Sequence, residues 1–257
     1  MELQKRYVAY IDILGFSKYV KDNVLSPEKP LELLNQFIIT AKKFSFKEFL
    51  MISAFSDNIV ISLPADDDKL FYTEYSKFLM YINHVQLFIT TNIGVLPIRG
   101  GITCGDFYHN EILFGEAMIE AYNLEHLHAF FPRIVVNPKF LNPHRFLSDR
   151  KSLAEMDFHS HVPIEIPKYE PEILKRQYQV KYDFDGLLIC NYLSALYFFD
   201  AWATISEKLL NKHKNFILMN LQNSNDLNVS RKYIWMKNYH NWFCEPFEDF
   251  QKFIIPD

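Results

Sequence analysis

The run Tyr7-Val8-Ala9-Tyr10-Ile11-Asp12-Ile13-Leu14 constrains this chain more than any other feature: seven apolar residues, mostly β-branched or aromatic, enclose one carboxylate. An apolar run without alternation is the pattern of a strand buried on both faces. The chain is therefore built around a covered sheet. Asp12 needs a reason to be there, because an ionised carboxylate left uncompensated among apolar side chains is too costly.

The segments that follow supply the covering layers. Gly15-Phe16-Ser17 opens a short helix to about Val24, which Ser26-Pro27 and Lys29-Pro30 break. Leu31, Leu34, Phe37, Ile38, Ala41 and Phe44 recur at helical intervals and predict a second helix over 31–46. Met51 to Phe55 and Ile59 to Leu63 read as two strands joined by a tight Ser56-Asp57-Asn58 turn, with Asp57 at the hairpin tip. A long helix is expected over 69–91, then a strand from Ile98 to Phe107. His109-Asn110 should turn into a second hairpin through Ile112-Leu113-Phe114, followed by a helix to about His126 and a strand at Arg133 to Val136. Phe184 to Tyr192 has strand character, and helices are expected over 196–210 and 229–243. Hairpins mixed with crossovers predict an α+β sandwich with a largely antiparallel sheet.

Three regions are expected: a core over 1–140, a proline- and charge-rich rim insertion over 141–182, and a C-terminal strand and helices over 183–257, all in one structural domain. A chain of 257 residues with 49% hydrophobic and 16% aromatic residues has ample material for a core. Lys plus Arg number 27 against 31 Asp plus Glu, so no global basic field exists for nucleic acid or an anionic bilayer. Cys104, Cys190 and Cys244 are scattered and odd in number, which signals neither a disulfide framework nor a zinc knuckle. With a charged start and no export signal, a cytoplasmic, membrane-free setting is expected. His126-x-His128 and His159-x-His161 lack a third ligand and read as loop histidines. Cys104 reads as a small apolar residue.

Asp12 and Asp57 converge if their strands are neighbours, and two hard oxygen ligands without His or Cys favour Mg²⁺ or Mn²⁺. The alternative is that Asp12 accepts backbone bonds at a strand end and Asp57 only makes the turn. Gly15-Phe16-Ser17 places free backbone N–H groups where a phosphate could bind. Carboxylates holding metal beside amides holding phosphate form the minimum kit for phosphoryl or nucleotidyl transfer. Arg99 reads either as a strand-end residue paired with a carboxylate or as a support for the metal site or a phosphate.

These residues together resemble the class III nucleotidyl cyclases. The family's first-strand Asp-Ile-x-Gly-Phe is matched by Asp12-Ile13-Leu14-Gly15-Phe16, its hairpin Asp by Phe55-Ser56-Asp57-Asn58, and its Arg-x-Gly-Ile strand by Arg99-Gly100-Gly101-Ile102, over about residues 5–137. The resemblance implies a ferredoxin-like core with a C-terminal helical extension. It also implies two divalent cations, Mn²⁺ or Mg²⁺, held by Asp12, Asp57 and the Ile13 carbonyl, with phosphates at Gly15, Phe16, Ser17 and Arg99. The base-reading positions fall on Ser53 and Ile112, which cannot reproduce the purine-reading pair. The transition-state Asn and Arg align near Ile119 and Asn123 and are absent or displaced.

The Phe-Ser-Asp-Asn hairpin, the Gly115-Glu116-Ala117 helix start and Lys232-Tyr233-Ile234-Trp235 look most like the pyrimidine cyclases of Pycsar antiphage systems. That resemblance implies conversion of UTP or CTP to cyclic UMP or cyclic CMP, a head-to-tail homodimer, and a separate effector that reads the product. The other reading is a catalytically degenerate, dimeric nucleotide-binding module.

Overall fold

A computed structural model describes residues 2–43, 50–65, 71–138, 172–198 and 202–256. The strands are β1 (Gln4–Ile13), β2 (Met51–Phe55), β3 (Asn58–Pro64), β4 (Ile98–His109), β5 (Leu113–Phe114), β6 (Ile134–Val136), β7 (Val180–Tyr182) and β8 (Leu188–Cys190). The helices are α1 (Phe16–Asp22), α2 (Glu28–Lys43), α3 (Phe71–Phe88), α4 (Glu116–His128), α5 (Glu172–Lys175), α6 (Trp202–Asn223) and α7 (Leu227–Cys244). The sheet runs β2-β3-β1-β4-β6-β8-β7, with β5 paired to β4. Among the described residues only the β4–β6 pairing is parallel; β1–β3, β1–β4, β2–β3 and β7–β8 are antiparallel.

Its first part follows β-α-β-β-α-β with spatial order β2-β3-β1-β4, the split βαβ arrangement of ferredoxin-like folds. β1 is central and covered twice. Tyr7, Ala9, Ile11 and Ile13 face Leu33 and Phe37 of α2 and Phe78 and Ile82 of α3. Val8 and Tyr10 face Ala117 and Ala121 of α4. Strand alternation then places Asp12 on the α4 face.

Gly101 explains how α4 lies so close to the sheet. A Cβ there would stand 2.6 Å from Leu124 Cβ and would collide with the Ala121 carbonyl. Any larger residue would lift the helix and with it Glu125.

The expected elements are largely present, with five shifts. β4 runs on through His109, which pairs with Leu113 instead of making the turn. The long helix ends in a π-helical turn, Ile89–Ile93, closed by Gly94 at φ 61°. The strand expected from Phe184 shortens to Leu188–Cys190 because Asp183–Leu187 forms the β7–β8 turn, with Asp183 N–H donating to Leu187 O at 2.8 Å. Tyr192–Phe198 is a 3₁₀ segment, and the helix expected over 196–210 is Trp202–Asn223. Val180–Tyr182, within the segment read as a rim insertion, is a strand of the main sheet. Phe44 to Phe46 of the second helix and all of 141–171, His159 and His161 included, lie outside the described residues.

A second core joins the C-terminal helices to the sheet, where Leu210, Ile217, Trp235, Met236 and Phe243 cluster with Val135 of β6 and Ile189 of β8. A polar chain runs through it. His240 Nε2 meets Phe253 O at 3.0 Å, His213 Nδ1 meets His240 Nδ1 at 2.9 Å, and His213 Nε2 meets Tyr192 Oη at 2.7 Å. One assignment satisfies all three contacts with neutral rings: His240 Nε2–H donates to the carbonyl, His213 Nδ1–H donates to His240, and the tyrosine hydroxyl donates to His213.

Candidate active site

The end of β1 brings both sequence-singled aspartates together. Asp12 pairs in register with Asn58, and Ile13 N–H donates to the Asp57 carbonyl at 3.1 Å. Ser56 and Asp57 form a two-residue turn, with Ser56 in the left-handed region at φ 54°. A further chain orients the second carboxylate. Tyr10 Oη donates to Asn58 Oδ1 at 2.7 Å, and Asn58 Nδ2 donates to Asp57 Oδ1 at 3.4 Å.

Asp12 is not uncompensated. Arg99 Nε donates to Asp12 Oδ2 at 2.8 Å, and Arg99 Nη1 to Ala129 O at 3.3 Å. Arg99 Nη2 also lies 2.7 Å from Glu125 Oε1, an ion pair whose N–H is not aligned for a hydrogen bond to that oxygen. The cost of placing Asp12 in this strand is therefore offset within the chain. The register makes this possible, since Asp12 and Arg99 are direct cross-strand partners.

Glu125, on α4, is a site residue that sequence reading missed. Burial raises its carboxyl pKa, Arg99 opposes the rise, and the charges of Asp12 and Asp57 add to it. Tyr10 is pushed up to about 12 by burial, with Glu125, Asp12, Tyr122 and Asp57 contributing. Three carboxylates thus share one electrostatic neighbourhood with two cations, Arg99 and Lys232 of α7.

That surplus of oxygen donors bears on whether a divalent cation fits. Among the described residues no group of three or more His, Cys, Asp or Glu side chains could hold a metal by itself. Mg²⁺ seldom needs such a cage, because one or two carboxylates together with substrate phosphates and water complete its shell. Asp12, Asp57 and the Ile13 carbonyl are the oxygen ligands that would hold such a cation. Gly15 adopts φ 85° at the start of α1, a helix of only seven residues with Phe16 buried. Its left-handed backbone lets β1 turn straight into the helix.

Ser53 lies on β2 and is half-buried, and it ends a buried polar chain. Ser53 Oγ meets His109 Nε2 at 2.8 Å, His109 Nδ1 meets Ser62 Oγ at 2.6 Å, and Arg6 Nε donates to Ser62 Oγ at 2.9 Å. His109, read from sequence as a turn residue, is the strand residue that positions Ser53. Ile112 is 62% exposed at the β4–β5 turn. Ile119 and Asn123 are exposed on α4, and neither bonds to Asp12 or Asp57. Of the two α4 histidines, His126 stacks on Tyr122 at 5.5 Å.

His109 carries a pH consequence. Burial, with the Arg6 charge behind it, lowers its pKa from 6.5 to about 4. The unfolded chain takes up this proton first, so stability is full above about pH 6.5 and is lost as pH falls toward about 4. His213 and His240, also lowered chiefly by burial, act in the same direction. Denaturant melts across this window should show a steep acid loss that His109→Gln flattens. An unchanged slope in the variant would show that His109 titrates normally.

No family model matches the chain. No curated protein matches it. Among solved structures, the crystal structure of the adenylyl cyclase CyaB from P. aeruginosa is similar at 20% identity, over 55% of this chain and 81% of that one, with a TM-score of 0.42.

Proposed function

We propose that this chain is a nucleotidyl cyclase that converts UTP or CTP into the 3′,5′-cyclic monophosphate and pyrophosphate. The observation that carries the reading is the convergence of Asp12 and Asp57, from two strands, at the end of β1, where the chain runs on into a cleft lined by Leu14 and Gly15. Asp12, Asp57 and the Ile13 carbonyl would hold two divalent cations, Mn²⁺ or Mg²⁺. Such ions, when bound, acidify the ribose 3′-hydroxyl and offset charge on the departing pyrophosphate.

The chain's own residues do the positioning. Arg99 holds Asp12 in one orientation, and the Tyr10–Asn58 pair holds Asp57. Backbone amides of Gly15, Phe16 and Ser17 are the expected phosphate contacts, and Arg99 gains a phosphate only by sharing its carboxylate partners. Ser53, backed by His109, and Ile112 offer a short hydroxyl and an apolar wall to a small ring, which suits a pyrimidine better than a purine.

The resemblance implies a head-to-tail homodimer, and apolar side chains exposed on and around α4 are what such an interface would cover. Ile112, Phe114, Ile119, Tyr122, Leu127 and Phe130 are each at least 41% exposed there, a surface of the kind that marks an interface. The cyclic product would be read by a separate effector, as the antiphage resemblance implies. No helix of the described residues is long and apolar enough to cross a membrane.

One observation favours the second reading, a degenerate dimeric nucleotide-binding module. Arg99 already satisfies Asp12, so the scaffold can keep this aspartate without a metal. A single experiment separates the two. Purified protein is incubated with each of the four triphosphates and Mn²⁺, and the product is identified by mass. Cyclic UMP or cyclic CMP is expected; binding without pyrophosphate release would leave only the module.

A further inference from the structure

Helix α7 stands outside the ferredoxin-like frame, yet it reaches the end of the sheet where Asp12 lies. A cleft of about 430 Å³ opens there, lined by Gly15, Lys18 and Leu96 together with Asp226, Lys232 and Tyr233 of the C-terminal region. The carboxylate of Asp226 is spent on capping α7, accepting from Asn228 N–H at 2.7 Å and Val229 N–H at 3.3 Å. Lys18 is exposed and lies 3.4 Å from Asp22.

Lys232 differs. It is half-buried, and among the described residues its ammonium makes no hydrogen bond or ion pair. Burial lowers its pKa, the nearby Arg99 charge lowers it further, and Asp12 and Asp226 pull it back. A partly desolvated cation beside a second cation is unfavourable until an anion takes it up. The anion must fit a cleft that begins at Gly15, three residues beyond Asp12, and that is roomy enough for more than one phosphate group.

We propose that Lys232 is a phosphate-binding residue, which holds the β- and γ-phosphates of a nucleoside triphosphate whose α-phosphorus lies at Asp12 and Asp57. This inference rests on the nucleotidyl-transfer reading of the two aspartates. It makes the C-terminal helix part of the site, so that one protomer supplies both the carboxylates and the polyphosphate anchor. A charge-assisted contact of this kind discriminates roughly ten- to a hundredfold in affinity.

The full-length protein, Lys232→Met and Lys232→Arg are titrated with inorganic tripolyphosphate in Mg²⁺ by calorimetry, and the KM for UTP and CTP is measured in parallel. Tripolyphosphate should bind the natural protein, weaken roughly ten- to a hundredfold in Lys232→Met, and recover in Lys232→Arg. KM should rise in step while kcat changes less. Thermal melts confirm folding, and Lys232→Gln replaces Met if that variant fails to fold. Equal tripolyphosphate affinity in the natural protein and Lys232→Met, or no binding by either, overturns the inference. Cyclic product with an unmoved KM in Lys232→Met likewise removes the anchor and leaves the cyclase intact. Lys232-dependent binding of tripolyphosphate without any cyclic product keeps the anchor and removes the cyclase.

Discussion

Asp57→Asn should leave the protein folded and lower cyclic-nucleotide formation by roughly a thousandfold or more, the scale expected when a group that stabilises transition-state charge is lost. The substitution is clean for structural reasons. Asn is as good a turn residue as Asp. The contact that fixes the hairpin to β1 uses the Asp57 backbone carbonyl, which the variant keeps. The side-chain oxygen that accepts from Asn58 is also retained as an amide oxygen. Only the charge disappears. Asp12→Asn is a poorer test, because it also strips Arg99 of the carboxylate at 2.8 Å. Circular dichroism and a thermal melt establish the fold; product mass and pyrophosphate release establish the rate. A folded Asp57→Asn enzyme turning over at the natural rate sinks the assignment of Asp57.

Arg133→Leu should cost about 3 to 5 kcal/mol of stability, the range for breaking one side of a buried ion pair. Its side chain is fully buried at the start of β6, and Nη1 pairs with Asp183. Nη1 also donates to Asp185 Oδ1 at 3.0 Å, and Nη2 donates to Asp185 Oδ2 at 2.5 Å and to His128 O at 3.0 Å. The guanidinium further lies over Phe131 at 5.3 Å. Removing it leaves Asp183, 7% exposed, with Trp235 Nε1 at 2.8 Å and Lys181 at 3.6 Å as remaining partners. For a chain of this size the melting temperature should drop by roughly 10 °C. Pairing the change with Asp183→Asn should recover part of the loss, since the stranded charge is then gone. A single variant within experimental error of the natural protein would mean that solvent reaches this pair freely.

The second prediction turns on a charge whose partners lie 50 and 52 positions away in the chain, and this is where sequence reading and tertiary structure part. The β1 strand, the Asp57 hairpin and the helices around Phe37 and Ala121 were legible because burial leaves a local period: no alternation for a strand covered twice, three- and four-residue spacing for a helix. Asp12 stood out for the same reason, as a polar residue in a place where the pattern allows none. Gly101 was visible as part of a motif, yet its cause, α4 pressed against β4, was not.

What the sequence could not determine was how the charges are compensated. Asp12 and Arg99 are 87 positions apart, and register alone makes them neighbours. Glu125 looks like one of many helix glutamates until α4 turns it inward beside Arg99. His109 seemed a turn residue because His-Asn reads as a loop, and only its pairing with Leu113 keeps it in the strand and in line with Ser53. Lys232 is visible in the sequence as part of the Lys232-Tyr233-Ile234-Trp235 motif, yet its place beside Arg99 and Asp12 is not. The chain by itself determined the sheet, its covering helices and the two aspartates at one strand end, because these follow from local apolar periodicity. Which cation faces which carboxylate, and which cation is left free for a ligand, was decided only by packing, because Coulomb energy depends on distance in space and leaves no period in the sequence.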